Sequence, residues 1–457
     1  MDNNRSRFFL RRIVLFDEAG LSSKRIQSLQ IVIWAIALGT VCFNITGGIA
    51  MTGYLKSLGV SDFSFGLLMA ASPAAGVVQI LASYLLERTR KRKAVFLIGG
   101  LLQRMVWMPF GLVPFFVPMS APVVRIWIVS LFILIAAVSN QFLAVSYQSL
   151  LADLIPLPIR GSFLGMRGRV STVMGILGGF LTAWLLDLFP GFHGYALAFG
   201  LAACLGTTDI LMFFAVEFPT MPEITRRDSI GRMFADAMKN RQFLEIAGFF
   251  TIWAFSLNLS APFYIVYMRM SLAMSNTAIT LIAQILPNIC SVAILPYWGR
   301  MLDKHGIRSV TYRLSRWSSI APLLWLFAAP GPLSLVLIIM TYVSAGLFYP
   351  GLEISSQNAI FNRSPERNRS MYIALFSCIT TLIGGALANA IGGWLLDNPL
   401  RLLEEADAPL FGFSFNRYNY LFLITFILRV ISAFLLLPRM VSHDVAVQAN
   451  TGQSCNI

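Results

Sequence analysis

Long apolar stretches of the chain alternate with short polar segments, many of which are basic. A helix needs about 20 apolar residues to cross the hydrocarbon core of a bilayer, because each residue advances it by about 1.5 Å. Twelve stretches meet this requirement, and they are numbered here as spans 1 to 12 in chain order. They are residues 30–55, 64–86, 94–117, 123–150, 169–189, 195–217, 244–267, 276–299, 309–329, 332–354, 370–396 and 418–438. The pattern therefore predicts an all-α integral membrane protein with twelve transmembrane helices.

Lysine and arginine are distributed unevenly among the predicted loops. With both termini placed in the cytoplasm, 28 of the 35 basic residues lie on the cytoplasmic side, 5 lie on the opposite side and 2 lie inside spans. Cytoplasmic loops of membrane proteins carry such an excess, and an extra or missing span would remove it. We therefore expect a multi-pass protein of the cell membrane (plasma or inner membrane) with both tails in the cytoplasm.

Composition supports the membrane prediction and narrows the partners. Only 12% of the 457 residues are charged and the mean hydropathy is +0.71, whereas soluble domains carry about 25% charged residues. The net charge of +14 is typical of nucleic-acid binding, but the basic residues flank apolar spans, so we expect membrane lipids and no nucleic acid as partners. The five cysteines have no paired spacing, which predicts neither disulfides nor a metal site.

Sequence features of the first six spans recur in the last six. The matched segments are residues 43–46 and 257–260, residues 184–187 and 394–397, and the polar residues that follow spans 4 and 10. Three matches at nearly constant offset indicate a duplicated six-helix unit. The expected domains are a basic cytoplasmic segment (1–29), a six-helix bundle (30–217), a cytoplasmic linker with a short amphipathic helix (218–243), a second six-helix bundle (244–438) and a cytoplasmic tail (439–457).

Related motifs occupy the loops after spans 2 and 8. Residues 299–308 closely resemble the G-x-L-x-D-R-x-G-R-R signature of the major facilitator superfamily, and residues 83–93 resemble a degenerate copy of it. The resemblance implies two pseudo-symmetric six-helix bundles around a central cavity, with a cytoplasmic gate at the motif acids. The gate candidates are Glu87, Arg88, Arg160, Asp303, Lys304 and Arg369. The alternative is that the acids only offset nearby basic charge.

Ionisable residues inside predicted spans are costly and often functional, and the candidates singled out here are Arg104, Asp209, Arg429 and Glu353. In the resembled family, spans 3, 6 and 12 are peripheral supports, so we expect structural pairing, for example of Arg104 with Asp209, rather than substrate contact. Glu353 lies on span 10, which lines the cavity in that family. It is the leading candidate to bind a coupling proton or cation, and the alternative is a structural acid near Arg363.

Neutral polar residues of the spans are candidates to line a substrate cavity. They are Asn44, Asn140 and Gln141 in the first half, and Asn258, Gln284 and Asn288 in the second. A cavity needs a few such groups to orient a solute between apolar walls. The alternative is hydrogen bonding between helices, which is common in membrane bundles.

These features favour a secondary transporter that moves a small solute by rocker-switch alternating access, as a monomer and without a cofactor. Two alternatives remain open: a lipid, amphiphile or hydrophobic-drug exporter of the same fold, and a non-transporting membrane receptor. The 36 phenylalanines and 19 methionines would suit an adaptable apolar cavity, but they serve equally as lipid-facing surface. An enzyme is not expected, because the three histidines are far apart and no serine or cysteine has a nearby histidine–acid pair.

Overall fold

The computed structural model describes residues 22–118, 120–219, 238–363, 369–405 and 415–436. Within these ranges the chain is almost entirely helical and has no β-strand. Eleven of the described helices are long and apolar enough to cross a membrane. The chain divides into two compact units, the first formed by residues 1–54 and 78–223, and the second by residues 55–77 and 224–457.

The first unit contains spans 1, 3, 4, 5 and 6. Their bounds are Ser23–Ser57, Arg92–Phe116, Pro122–Leu154, Phe163–Leu188 and Phe192–Ala215. Span 1 is divided at Gly47 into helices Ser23–Thr46 and Gly48–Ser57. Side chains such as Leu29, Phe96 and Leu150 are almost wholly buried and form the core between these helices.

The second unit contains spans 7, 8, 10, 11 and 12. Their bounds are Arg241–Met270, Asn276–Leu302, Pro332–Ile360, Tyr372–Glu405 and Arg417–Phe434. Spans 8, 11 and 12 each include a short π-helical segment, at Leu281–Ile285, Leu382–Leu387 and Ser432–Leu436. In span 8 this segment precedes Pro287, which has no N–H to donate and so disrupts the regular helical ladder.

Span 2, Asp62–Leu86, is shared between the units, because residues 55–77 group with the second unit. Glycines of span 11 permit this packing. A Cβ atom on Gly66 would lie 3.1 Å from the Cα atom of Gly393, and a Cβ atom on Gly385 would lie 2.9 Å from that of Pro73. Small residues let two helix backbones approach closely, so residues 62–77 lie directly against span 11.

Predicted span 9, residues 309–329, is helical but divided. Its first part belongs to helix Leu286–Ser319, which bends at Gly306, and its second part is helix Ala321–Leu326. Pro322 explains the division, because it cannot donate a backbone hydrogen bond to the Ser318 carbonyl one turn earlier. Predicted span 9 is therefore two shorter helices rather than one long one.

Large apolar side chains cover much of the outer surface of both units. Trp34, Phe116 and Trp127 are 67%, 79% and 72% exposed, respectively. A soluble protein rarely exposes extended apolar surface, whereas a bilayer removes its cost. The predicted linker helix falls almost entirely on residues 220–237, which lie outside the described ranges, as do residues 1–21 and 437–457.

Candidate functional site

The first unit contains the ion pair that was expected between Arg104 and Asp209. Arg104 Nη2 lies 3.0 Å from Asp209 Oδ2, and the two side chains are 11% and 7% exposed. Two glycines make room for the pair. A Cβ atom on Gly39 would lie 2.5 Å from the Asp209 carboxylate, and one on Gly206 would lie 2.5 Å from Arg104 Cδ. The burial of the pair within one unit supports a structural role.

Arg429 of span 12 has a different environment in the second unit. Its side chain is buried, and Nη1 donates to the Tyr349 hydroxyl at 2.9 Å and to the Ser318 carbonyl at 3.4 Å. The Ser318 carbonyl is available because Pro322 cannot donate to it. The guanidinium also lies 6.0 Å from the ring of Trp253, while its Nε has no hydrogen-bond partner among the described residues.

Arg125 was counted only as a charge on the outer side, but it is buried at the start of span 4. Its guanidinium donates to the carbonyls of Val117, at 2.5 and 2.8 Å, and of Pro114, at 3.1 Å. These carbonyls end the helix of span 3, whose last turn leaves acceptors unpaired. Arg125 therefore caps span 3 rather than facing solvent.

The cavity candidates of the first unit are partly or fully buried. Asn44 and Asn140 are half-buried, and Gln141 is 9% exposed. Asn44 Nδ2 donates to the Thr40 carbonyl of its own helix at 3.0 Å. The Thr40 hydroxyl lies 3.0 Å from that of Ser171 in span 5. Span 1 thus presents polar groups toward span 5, and a role of Asn140 and Gln141 in binding remains a prediction.

The cavity candidates of the second unit share one local pattern. Asn258 Nδ2 donates to the Ala254 carbonyl at 2.8 Å, as Asn44 does to the carbonyl four residues before it. Asn288 Nδ2 likewise donates to the Gln284 carbonyl at 2.7 Å, and Gln284 lies in the π-helical segment of span 8. Glu353 is exposed on the helix of span 10. Its proposed coupling role remains a prediction.

The predicted cytoplasmic gate is only partly within the described side chains. Arg88 and Lys304 are described and exposed. The side chains of Glu87, Arg160, Asp303 and Arg369 lie outside the described part of the structure. The gate therefore remains a prediction.

A cluster of charged and polar side chains, which sequence reasoning missed, forms in the second unit at the start of span 2. We call it the outer cluster, because the predicted topology places it on the side opposite the cytoplasm. Its members are Lys56, Asp62, Asp397, Glu404, Arg417 and Tyr418. They surround a cavity of about 440 Å³.

Asp62 is the centre of the outer cluster, and its side chain is 1% exposed. Lys56 Nζ lies 2.5 Å from Asp62 Oδ1, and Arg417 Nη2 lies 3.1 Å from Oδ2. The Tyr418 hydroxyl donates to the same carboxylate at 3.2 Å. A buried carboxylate is stable only when it is paired and hydrogen-bonded, and Asp62 has both kinds of partner.

Asp397 connects the end of span 11 to the start of span 2. Its carboxylate accepts the backbone N–H groups of Phe63 at 2.6 Å and of Asp62 at 3.3 Å. The first N–H groups of a helix have no partner within the helix, so an acidic side chain there is a cap and complements the helix dipole. Arg417 lies 3.7 Å from Asp397 and 3.8 Å from Glu404, which completes the network.

Two sequence signals could have indicated part of the outer cluster. Ser61 and Asp62 form a helix start, and the Ser61 hydroxyl accepts the N–H of Ser64. Residues 394–397 were recognised as a repeat of residues 184–187, but the repeat gave no partner for Asp397.

Among the described residues, no group of three or more histidine, cysteine, aspartate or glutamate side chains could hold a metal ion.

Comparison with known proteins gives the family and the fold. A sequence profile of the Major Facilitator Superfamily matches residues 32–290 and again residues 244–452. The crystal structure of the nucleoside transporter NupG is 16% identical, with a TM-score of 0.65 over 92% of this chain and 99% of that chain. A search of curated protein sequences found no match.

Two other solved structures share the fold. A bacterial homologue of the human lysosomal transporter Spinster is 14% identical, with a TM-score of 0.68 over 92% of this chain and 98% of that chain. A D-xylose–proton symporter is 12% identical, with a TM-score of 0.62 over 90% of this chain and 96% of that chain. Because the profile matches both halves and the helices cross a membrane repeatedly, the chain is a multi-pass membrane protein that belongs to the major facilitator superfamily.

Proposed function

We propose that this protein is a secondary transporter that moves a small solute across the cell membrane by alternating access, and that the outer cluster is its latch on the side opposite the cytoplasm. Family membership supports the transport activity. The observation that carries the latch is the buried Asp62 carboxylate, which is held by Lys56, Arg417 and Tyr418. Two of these partners come from span 12, far along the chain.

The geometry of the outer cluster suits a contact that breaks and reforms. Residues 55–77 group with their partners Asp397 and Arg417 in the second unit, although the chain on both sides of this segment belongs to the first unit. The side chain of Arg417 is 28% exposed and that of Glu404 is 40% exposed. Water in the adjoining cavity can therefore solvate these charges when the contact opens, which lowers the cost of separating them.

Transport also needs a cytoplasmic gate and a source of energy. We assign the gate to the motif acids Glu87 and Asp303, with both tails in the cytoplasm. We assign the coupling proton or cation to Glu353, which is exposed on span 10. In alternating access, release of the outer cluster and closure of the cytoplasmic gate belong to the same half of the cycle.

A small solute is favoured over a lipid by the packing of span 2. A lipid mover needs a lateral opening between spans, for example between spans 2 and 11. Residues 62–77 instead lie directly against span 11, where Gly66, Gly385 and Gly393 remove the space between the helices. In this conformation the path between these two spans is closed along that segment.

A reversible cross-link between spans 2 and 11 tests the proposal. In a cysteine-free background, Pro73→Cys and Gly385→Cys bring two Cβ atoms within reach of a disulfide. A Cβ atom on Gly385 would lie 2.9 Å from that of Pro73, closer than the ~3.5–4.5 Å of a disulfide, so the two helices must separate slightly for the bond to form. A solute is first identified by thermal shift against sugars, nucleosides, amino acids, organic anions and lipids, and its uptake into proteoliposomes is then measured.

We expect oxidation to abolish uptake and a reductant to restore it, because the locked helices cannot separate. Each single-cysteine variant should be unaffected by oxidation. Undiminished uptake in the fully cross-linked protein would contradict the latch. The absence of any transported solute would contradict the transporter itself.

A further inference from the structure

Each unit buries an arginine in the interior of a span, but only one of the two has an acidic partner among the described residues. Arg104 in the first unit pairs with Asp209 at 3.0 Å. Arg429 in the second unit is 2% exposed, and no carboxylate of the described residues lies within 4.0 Å of it. A charge buried inside a membrane protein is costly unless something compensates it. The second unit therefore holds a positive charge that is not neutralised by a described side chain.

The contacts of Arg429 are all to neutral groups. They are the Tyr349 hydroxyl, the Ser318 carbonyl and the faces of the Trp253 and Tyr349 rings. The Nε atom is buried and has no acceptor in the described part of the structure. Arg429 itself is too buried for a solute to reach, so a counter-charge has to act through one of these neighbours.

Tyr349 is the neighbour through which Arg429 can act on a bound anion. Its oxygen accepts from Arg429 Nη1 at 2.9 Å, so its own proton is directed elsewhere, and no described residue accepts that proton. The side chain is half-buried, and it lies on span 10 one helical turn before the exposed Glu353. A hydroxyl that is polarised by a guanidinium is a strong donor, and it forms its strongest hydrogen bond with an oxyanion as acceptor.

We infer that Tyr349, with Arg429 behind it, binds an oxyanion group, a carboxylate or a phosphate, of the transported solute. This inference rests on the proposed transport function and narrows its substrate to organic anions. Arg429 is a positioning residue, because it acts through Tyr349. The negative carboxylate of Glu353, one helical turn away, disfavours binding of an anion nearby unless a proton or cation neutralises Glu353. Binding of the anion and of the coupling ion would therefore favour each other.

Matched acids and neutral analogues test the inference on the full-length protein in detergent. The probes are benzoate with benzamide, succinate with succinamide, and phenyl phosphate with phenol. The readout is the concentration dependence of thermal stabilisation, which gives an apparent affinity. We expect at least one acid to stabilise the protein more than its neutral analogue does. Tyr349→Phe should then weaken the binding of that acid about tenfold or more, as loss of a hydrogen bond to a charged group predicts.

Two further variants separate binding from folding. Tyr342→Phe makes the same change two turns earlier on the same helix, where the hydroxyl has no bond to Arg429, and it should leave the affinity unchanged. Arg429→Lys keeps the charge but shortens its reach, and it should weaken acid binding while leaving binding of neutral probes unaltered.

The inference is overturned if no acid binds more tightly than its neutral analogue, or if Tyr349→Phe binds the acid as tightly as the unmodified protein does. A neutral solute whose uptake is blocked by the disulfide between positions 73 and 385 would refute the anion site while leaving the transporter in place. If no acid bound more tightly than its neutral analogue and no solute showed uptake that the disulfide blocks, the proposed transport function itself would be contradicted.

Discussion

The carboxylate of Asp397 accepts the backbone N–H of Phe63 at 2.6 Å, although 334 positions separate the two residues in the chain. An acidic side chain at a helix N-terminus pairs with donors that the helix itself cannot satisfy. The start of span 2 is therefore held to the end of span 11 through the backbone as well as through the ion pairs of Asp62. The outer cluster depends on this contact for its geometry.

Removal of the Asp397 cap should weaken the outer cluster. Asp397→Ala removes two hydrogen bonds to backbone N–H groups and one ion-pair partner of Arg417. Loss of a helix cap lowers the free energy of unfolding by about 1 kcal/mol. We expect a cysteine placed at the buried position Ala70 to react faster with a membrane-impermeant maleimide added from outside. Glu405→Gln is the matched control, because the one ion pair of Glu405 among the described residues is with the exposed Arg401. Equal labelling rates of the cysteine at position 70 in the parent protein, in Asp397→Ala and in Glu405→Gln would contradict the role of Asp397.

The glycines beside Arg104 and Asp209 should tolerate no side chain. A Cβ atom on Gly206 would lie 2.5 Å from Arg104 Cδ and 2.8 Å from Cys42 Sγ. We expect Gly206→Ala to lower the free energy of unfolding by about 1–3 kcal/mol, as overpacking usually does. Gly200→Ala, on the same helix but with no neighbour within 4 Å, should be neutral or slightly stabilising. Thermal melting of the detergent-solubilised protein measures both, and equal melting temperatures would show that the site can relax.

A double-mutant cycle distinguishes a structural role of Arg104 and Asp209 from substrate binding. Arg104→Met alone leaves Asp209 as a buried charge without its ion-pair partner, which should cost about 3–5 kcal/mol of stability. Arg104→Met combined with Asp209→Leu should recover most of that loss and retain uptake. A double variant that is stable but cannot transport would show that the pair contacts the solute.

Glu353→Gln should change how uptake depends on pH without changing stability. The side chain is exposed, so the free energy of unfolding should alter by no more than about 0.5 kcal/mol. Uptake should lose its response to an imposed proton gradient, because glutamine cannot carry the coupling proton. Glu245→Gln is the control, since Glu245 pairs with Arg241 on the same helix. An unchanged pH profile in Glu353→Gln would exclude it as the coupling group.

Much of the fold could be predicted from the sequence, because a bilayer imposes long apolar helices and a bias in basic loops. Most of the membrane spans followed from these constraints. The family was predicted from the motif at residues 299–308, and the pairing of Arg104 with Asp209 from the cost of charge inside a span together with that resemblance. Span 9 was predicted as one helix, and the effect of Pro322 on the Ser318 carbonyl was overlooked. Proline is tolerated in membrane helices when another group satisfies the released carbonyl, as Arg429 does here.

The outer cluster could not be predicted, since the bonds of Asp62 and Phe63 to spans 11 and 12 join residues more than 330 positions apart. Asp62 was indistinguishable from an ordinary acid in the first turn of a helix, and Arg417 was counted only as an outer basic residue. The role of Arg125 was hidden for a different reason, because its acceptors are backbone carbonyls that carry no sequence signal. Side-chain chemistry identifies a charge, but only the packing of the helices identifies its partner.

The distance between the outer ends of spans 2 and 11 tests the central claim most directly and requires no knowledge of the solute. Spin labels at the exposed positions Phe63 and Leu402 report this distance by pulsed electron resonance in lipid nanodiscs. We predict a short distance and a second, longer one, with the longer population enriched in Asp62→Asn, because that variant loses the charge that binds Lys56 and Arg417. A single distance that is identical in the parent protein and in Asp62→Asn would contradict the latch.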